Sequence, residues 1–511
     1  MNRLEQIKPL IEEQTHSEET IKKMNSFIFD ENEVIVEKNF CFSTFTDTNK
    51  EEVAAWGIFL PKNATKYDKN NQPIGDEQIN VPVLITSNNN LLEIGSNIEK
   101  RYKIRYDIPT TYPRRWSLPS IKKYLKKEHD KVDGIKLFTK IRRKYERYLY
   151  YSRQEWYTIH ALWDFGTYSF FLFKYYPILE LRGLKSTAKS KTMTISRKIT
   201  FNATEEMTNP SESTLFRETH EKRCTKYIDE AEKLFVDNKG KVIADLRAEL
   251  INSSYKYTGT VPRQEKIGEK YRTVYYYTYS PTVLASINGL FGATEDRAIV
   301  HITTKPPKND SRGEQEPEEI EEEDQEIRDD LYIFTLQNWK IIKKTYDNLK
   351  IPNFKNRDFW LWKPLLSLAK IIDEKIFNEL YEFAQEQTKI KNIDTIPVGS
   401  TEYQILEITY ELVKKCRAQP ILAKEIADKW NGDYKPANKT ICNFLDKTGF
   451  RDYKKHTREG NGYDLSVELF ERIALQICPS IFIHEDSPSS HSIQLIEENI
   501  ETDNQNEKQE K

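Results

Sequence analysis

Cysteine is scarce in this chain: five in 511 residues, Cys41, Cys224, Cys416, Cys442 and Cys478, with no C-x-x-C pair and no nearby histidine ligands. That argues against a disulfide framework and a zinc site, and fits thiols kept reduced in a cytosol. Long apolar runs are missing too. The most hydrophobic window, residues 156–181, is broken by His160, Asp164 and Lys174, which leaves too little uncharged length for a membrane span. The first residues, Met1-Asn2-Arg3-Leu4-Glu5-Gln6, are charged and carry no apolar core of a signal peptide. Net charge is almost absent, at −2, although 31% of residues are charged, so local asymmetry matters more than the total. What is left is a soluble protein, expected to be cytoplasmic, with chain enough for about three domains.

A further absence lies inside the most informative stretch. Residues 183–190, Gly183-Leu184-Lys185-Ser186-Thr187-Ala188-Lys189-Ser190, follow the hydrophobic run 175–181. They match the phosphate-loop pattern G-x-x-x-x-G-K-[ST] at every fixed position but one, where Ala188 replaces the second glycine. Such a loop converges backbone N–H groups on a triphosphate, offers a lysine to the β and γ phosphates and a hydroxyl to Mg²⁺. Lys189 and Ser190 supply the last two, and a helix starting there would turn its positive end toward the anion. The plainer alternative is an ordinary strand-to-helix turn in a lysine-rich chain.

The surrounding pattern has to decide. Residues 1–27 are polar and helix-prone, a loosely attached segment. Strand and turn signals at 33–42, 53–60, 81–86 and 102–106 make 28–117 a β-rich N-terminal domain ending near Pro113-Arg114-Arg115. The basic stretch 101–127 fits a solvated helix surface better than a nucleic-acid face. Residues 118–173 are expected to form a connector of two helices. From 174 to 308, strands alternate with helices, the signature of a parallel sheet. A short strand is expected at 199–203 and a helix at 211–221. The strand 225–228 ends in Asp229-Glu230, where a carboxylate can hold the water shell of Mg²⁺ and its neighbour can polarise an attacking water.

Farther on, a helix is expected at 242–252 and strands around a polar turn at 259–268. The aromatic strand 274–279 would bring Thr278 or Ser280 to the γ-phosphate as a sensor, or both simply begin a turn. Arg297, ahead of a strand at 298–303, is placed to reach a neighbouring subunit's γ-phosphate; a salt bridge to Asp296 or Glu295 is the alternative. Residues 309–330, rich in Glu and Asp, read as an acidic flexible linker. A helical subdomain (331–400) follows, with the apolar centre 359–366. Residues 401–480 show three helix candidates, 403–416, 422–430 and 436–448, then a basic hairpin. That is a winged-helix pattern in which Lys435, Lys439, Arg451, Lys454, Lys455 and Arg458 would meet DNA. A winged-helix protein-interaction module is the alternative. The tail, 481–511, is expected to be disordered.

Together the octet 183–190, the stretch Tyr227-Ile228-Asp229-Glu230-Ala231-Glu232 and Asp296-Arg297-Ala298-Ile299 resemble the AAA+-like P-loop ATPases of phages, plasmids and other mobile elements, described as helicase or primase-helicase-like. The run 357–371 resembles the helical region that follows their ATPase core. The resemblance spans about residues 155–475 and leaves out the N-terminal domain, which shows no primase acidic cluster. Thr187-Ala188-Lys189-Ser190 is also similar to the loop of minichromosome maintenance helicases, which tolerate alanine there.

The resemblance implies a multidomain α/β protein: a β-rich N-terminal domain, an AAA+/RecA-like parallel-sheet ATPase core, a helical subdomain and a winged-helix domain. It implies ATP and Mg²⁺ as cofactors, with Gly183, Ser186, Thr187, Ala188, Lys189 and Ser190 around the phosphates and Ser190 and Asp229 at the metal. Glu230 would orient the water and Arg297 would be the finger supplied in trans. DNA is the expected partner and a ring of copies, such as a hexamer, the expected assembly. The expected activity is that of an ATP-driven DNA motor or remodeller. An ATP-switched DNA-binding regulator without unwinding is the second reading, and a degenerate loop in a structural protein the third.

Overall fold

Alternating apolar residues and polar turns build the first elements of the computed structural model. It describes residues 36–69, 72–109, 115–234, 246–287, 290, 293–307, 309–318, 322–354, 356–393, 400–415, 419–430, 435–478 and 481. The N-terminal segment 1–27, Pro113, Arg114, Cys416 and the tail beyond Ile481 lie outside the described residues. By compactness the chain divides into two units, Met1–Glu382 and Phe383–Lys511, each taken by itself below.

In the first unit, β1 (Val36–Asn39) pairs in parallel with β6 (Ile104–Asp107). Strands β2 (Phe42–Thr46), β3 (Glu52–Tyr67), β4 (Pro73–Thr86) and β5 (Leu91–Glu93) form an antiparallel sheet in that order. A helix, α1 (Ser96–Tyr102), precedes β6. The period of two sends Val53, Ala55 and Leu84 into a cluster with Phe40, Phe45 and Tyr106. Trp56 points to the other face, where it meets Phe42, Tyr168, Phe201 and Tyr332 and donates its indole N–H to the Tyr332 carbonyl at 3.1 Å. One face of this β-rich region therefore shares its core with later helices, because a tryptophan of that size is buried only when another layer covers it.

The connector contains three helices where two were expected: α2 (Leu118–Leu125), α3 (Gly134–Tyr148) and α4 (Gln154–Gly166). Ser117 and Asp133 cap the first two, each accepting from backbone N–H groups of the first turn, and so fix separate starts. Next come β7 (Ile178–Arg182), α5 (Lys189–Ile199), β8 (Glu206–Thr208), α6 (Glu212–Lys222), β9 (Lys226–Asp229) and α7 (Leu246–Ser253). The hairpin β10 (Thr260–Ile267) and β11 (Lys270–Tyr277) follows, then β12 (Thr282–Ser286) and β13 (Ala298–Ile302). Five of these strands form one parallel sheet in the order β13-β7-β12-β9-β8. The fold is thus mixed α/β around a parallel sheet, with its strand C-termini along one edge.

Three expectations change here. Residues 199–203 are not a strand: they end α5 and turn, because Phe201 is drawn fully into the aromatic cluster around Trp56. The stretch 259–268 is mostly strand, since β10 pairs with β11 along its whole length; only Gly268 and Glu269 turn, with Gly268 at φ 65°. The acidic linker ends early, because α8 (Glu322–Asn348) begins inside it. Two of its acids are held by other elements: Asp324 lies 2.5 Å from the fully buried Lys144 of α3, and Asp329 accepts from the Ser117 hydroxyl at 2.5 Å and its backbone N–H at 2.8 Å. Charge density suggested solvent, but a basic helix covers this face, and a buried acid is retained where it is paired. Then come α9 (Asn356–Ile372) and α10 (Glu374–Ile393).

The second unit holds α11 (Thr401–Val413), β14 (Ile421–Leu422), α12 (Ala423–Asp428), α13 (Asn438–Leu445), β15 (Lys454–Thr457), β16 (Gly460–Tyr463) and α14 (Val467–Ile477). The strands form an antiparallel sheet in the order β14-β16-β15. Leu406, Ile426, Ile441, Leu445, Phe450, Tyr463 and Phe470 make one core. The third helix stops at Leu445, three residues short of expectation, and a wider turn runs to Phe450 through Gly449 at φ 100°.

Candidate functional site

The loop 183–188 leaves the C-terminal end of β7, and α5 starts at Lys189. A Cβ on Gly183 would lie 2.3 Å from the Thr303 hydroxyl and 2.8 Å from that of Thr187, so only glycine allows this approach. Thr187 is buried, hydrogen-bonded to the Thr303 hydroxyl at 2.7 Å and donating to the Leu184 carbonyl at 2.9 Å. Ser186 and Ala188 both have φ 63°, the left-handed region in which backbone N–H groups turn inward to form an anion-binding concavity. Ala188 thus occupies a conformation that costs a Cβ-bearing residue roughly 1–2 kcal/mol. Lys189 is turned onto its own loop, donating to the carbonyls of Gly183 at 2.7 Å and Leu184 at 3.0 Å. Burial holds its ammonium below the usual lysine value, with Asp229 and Glu232 opposing that shift. Ser190 is exposed in the first turn of α5.

Asp229 ends β9 on the same sheet edge. Strand β12 lies between β7 and β9, so two strand spacings, about 10 Å, separate the two strand axes. Asp229 accepts from the Glu230 backbone N–H at 2.8 Å. Glu206 on β8 is its second acidic neighbour, and burial followed by the Asp229 charge raises the Glu206 carboxyl. Glu230 itself has φ 50° and its carboxylate is held by Lys233. The charges of Asp229 and Glu232 thus act on Lys189, whereas Glu230 is paired with Lys233.

Thr278 and Ser280 are not at this edge. They precede the first residue of β12, so the strand's rise of about 3.3 Å per residue puts them on the order of 15 Å from its C-terminal end. Both are buried in local contacts, Thr278 accepting from Ser253 at 2.7 Å and the Ser280 backbone donating to Ser254 at 3.2 Å. The sensor assignment fails because the aromatic strand belongs to the hairpin and not to the parallel sheet. Ser286, at the C-terminal end of β12, stands where a sensor would: its carbonyl accepts from the Gly183 N–H at 3.2 Å and its hydroxyl donates to Glu180 at 2.8 Å. Sequence reasoning missed Ser286, Thr303, Glu206 and Glu232; the small polar residue closing the apolar run 282–286 was a usable signal for the first.

Arg297 lies ahead of β13, on the opposite sheet edge from its own loop. Asp296 is taken by Arg357 at 2.6 Å and Glu295 by Arg182 at 2.7 Å, while Arg297 donates to the Ala293 carbonyl and forms no ion pair among the described residues. Burial, followed by the Arg357 charge, lowers its pKa. It lines a cavity of about 590 Å³ with Arg357, Trp360, Tyr175, Tyr255 and Asn252.

Of the six candidate DNA contacts in the second unit, three carry internal partners. Lys435 pairs with Asp428 at 2.8 Å, Lys454 with Asp446 at 2.7 Å and Lys455 with Asp464 at 2.5 Å. Lys439, Arg451 and Arg458 are exposed and form no ion pair among the described residues.

The site fits a nucleotide polyphosphate with Mg²⁺: a concave loop, a helix start, a lysine held by carbonyls it can exchange for phosphate oxygens, and one hydroxyl plus one carboxylate. Mg²⁺ commonly keeps several waters and takes one or two protein carboxylates beside the phosphates. Among the described residues no helix is long and apolar enough to cross a membrane. No protein-family model and no curated protein matches the chain. Solved structures with some likeness include one described as "SCCmec type IV Cch - active helicase", 12% identical over 76% of this chain and 79% of that one, with a TM-score of 0.36. Another, "The apo structure of NrS-1 C terminal region (305-718)", is 11% identical over 74% of this chain and 90% of that one, with a TM-score of 0.35. At these values the likeness fixes neither fold nor activity.

Proposed function

We propose that this chain is an ATP-driven DNA motor or remodeller, a helicase-like replication protein that works as a ring of copies. The observation that carries it is the loop closed on Thr303, with Lys189 turned onto the loop's own carbonyls. The left-handed residues 186 and 188 would present N–H groups to the phosphates, Gly183 would keep the turn tight, and Lys189 would leave the loop carbonyls to bind β and γ oxygens. Ser190 and Asp229 would hold Mg²⁺, which supplies charge neutralisation on the phosphates. Glu230 would orient the water after releasing Lys233. Arg297, on the far edge and held by no acid among the described residues, is available to a neighbour's γ-phosphate, where a cation stabilises the developing charge.

ATP hydrolysis with and without single-stranded and duplex DNA tests this. The expected result is turnover stimulated by DNA and abolished in both Lys189→Ala and Glu230→Gln; full activity in both variants sinks it. The second unit, with its exposed Lys439, Arg451 and Arg458, keeps a switched DNA-binding regulator as the alternative. ATP-dependent strand displacement belongs only to a motor.

A further inference from the structure

The cavity beside Arg297 is lined, among the described residues, by three cations, Lys256, Arg297 and Arg357, and by no carboxylate. Arg357 has an ion-pair partner outside that lining, Asp296 at 2.6 Å, whereas Arg297 bonds only to a backbone carbonyl among the described residues. The two guanidinium groups act on each other as like charges, which is why the Arg357 charge adds to burial in lowering the Arg297 pKa. Tyr255 lines the same cavity, buried, and its hydroxyl has no hydrogen-bond partner. Burial raises the pKa of this phenol while the Arg357 and Arg297 charges pull it back, so it remains a donor at neutral pH. A buried donor without an acceptor destabilises the fold, and a bound acceptor removes that penalty. The remaining wall is aromatic: the Tyr175 ring centre lies 5.1 Å from that of Trp360 and 5.1 Å from that of Tyr255. Tyr175 and Trp360 are only half-buried, and a volume of about 590 Å³ is that of a small-ligand pocket.

We infer that this cavity binds a free nucleoside monophosphate, with its phosphate on Arg297, Arg357 and the Tyr255 hydroxyl and its base against Trp360 and Tyr175. A phosphate dianion offers acceptors to two guanidinium forks and a phenol at once, and its charge relieves the repulsion between the forks. A planar base covers the half-buried rings. A bare phosphate would leave that aromatic wall unused. A bound nucleotide also occupies Arg297. This consequence rests on the proposed function: a guanidinium engaged within its own chain is withheld from a neighbour's γ-phosphate. Nucleotide in the cavity therefore lowers ATP turnover, and excess ATP does not relieve the inhibition.

The test is isothermal titration calorimetry of AMP into the full Lys189→Ala chain, without Mg²⁺, because that variant weakens the phosphate loop as a competing site. One saturable site per chain is expected, with inorganic phosphate at least about 10-fold weaker than AMP for want of ring contacts. Adding Tyr255→Phe removes a hydroxyl that has no partner in the unliganded protein. The doubly substituted chain should melt no lower than its parent and bind AMP about 10-fold more weakly. Arg357→Ala should weaken binding further, and Trp360→Ala should bring AMP down toward inorganic phosphate. No saturable AMP binding, phosphate as tight as AMP, or unchanged affinity in both Tyr255→Phe and Arg357→Ala overturns the inference. In the unmodified chain AMP should lower turnover at saturating ATP; relief by excess ATP would put AMP at the phosphate loop and overturn the inhibition. If the Lys189→Ala chain binds AMP as described but the unmodified chain does not hydrolyse ATP, the motor proposal falls and the site stands. Hydrolysis without any AMP binding has the opposite consequence.

Discussion

The loop 183–190 with Arg297, and the basic residues of the second unit, treat their charges differently. Lys189 bonds only to loop carbonyls among the described residues, and Arg297 only to a backbone carbonyl, each without a carboxylate ion pair. Lys435, Lys454 and Lys455 already have acids 7, 8 and 9 residues away in the chain. A cation with an internal acid is largely neutralised where it stands, and a ligand must displace that acid. A cation held only by carbonyls keeps its charge for an incoming anion. Sequence marked all five residues alike as functional; the structure separates them.

The largest effect that could break this contrast is at the loop. Lys189→Ala should reduce ATP turnover by more than about 10³-fold with an unchanged melting temperature, because the lysine makes no core contact and its charge acts on the phosphates. Normal turnover would return the octet to an ordinary turn. Next, Arg297→Ala should lower turnover by roughly 10³-fold, and mixing it with Lys189→Ala chains should recover part of the activity. Recovery requires an intact Arg297 to complete the site of a neighbour that keeps its own Lys189; mixed samples as inactive as the separate ones would remove the trans role.

In the second unit, Lys439→Ala with Arg458→Ala should reduce the salt slope of DNA binding by about 1 for each phosphate no longer neutralised. Lys454→Ala should leave that slope unchanged and lower the melting temperature, since it takes the partner from the half-buried Asp446. The reverse pattern would undo the distinction between paired and unpaired cations.

A smaller effect concerns the helix behind the loop. Asp164 is buried, accepts from Ser196 of α5 and Tyr145 at 2.5 Å each, and burial raises its carboxyl to about 7. The folded state keeps a proton that the unfolded chain has lost. Stability from this group is therefore complete below about pH 4 and falls as pH rises toward 7. Asp164→Asn should flatten that part of the melting profile; an unaltered slope would assign it to other groups. Smallest of all, Ala188→Gly should stabilise the chain by about 1 kcal/mol, the left-handed strain relieved less the entropy of glycine. Chemical denaturation measures it, and a loss of stability would show that the loop holds alanine without strain.

Much of the candidate site could be read from the residues because its pattern is local: eight consecutive positions carry the turn, the lysine and the hydroxyl. Strand β9 and its terminal Asp229 were equally legible, since an apolar run ending in acid is visible without neighbours. The sensor was not. Thr278 and Ser280 follow a strand by every local sign, and only hydrogen-bond partners reveal that β11 pairs with β10 while β12 enters the sheet. The acidic run at 322–330 misled for the same reason, as its partners Lys144 and Ser117 lie roughly two hundred residues earlier.

Composition and spacing by themselves determined an α/β chain with few cysteines, a phosphate-loop octet and a distinct C-terminal pattern of helices and basic hairpin. The tertiary structure alone decided which side of the sheet each polar residue occupies, which cations are already neutralised, and that the Tyr255 hydroxyl is buried without a partner. Those facts depend on pairing between distant segments. A residue's type limits what it can do, but its partners fix whether its charge, hydroxyl or ring remains available.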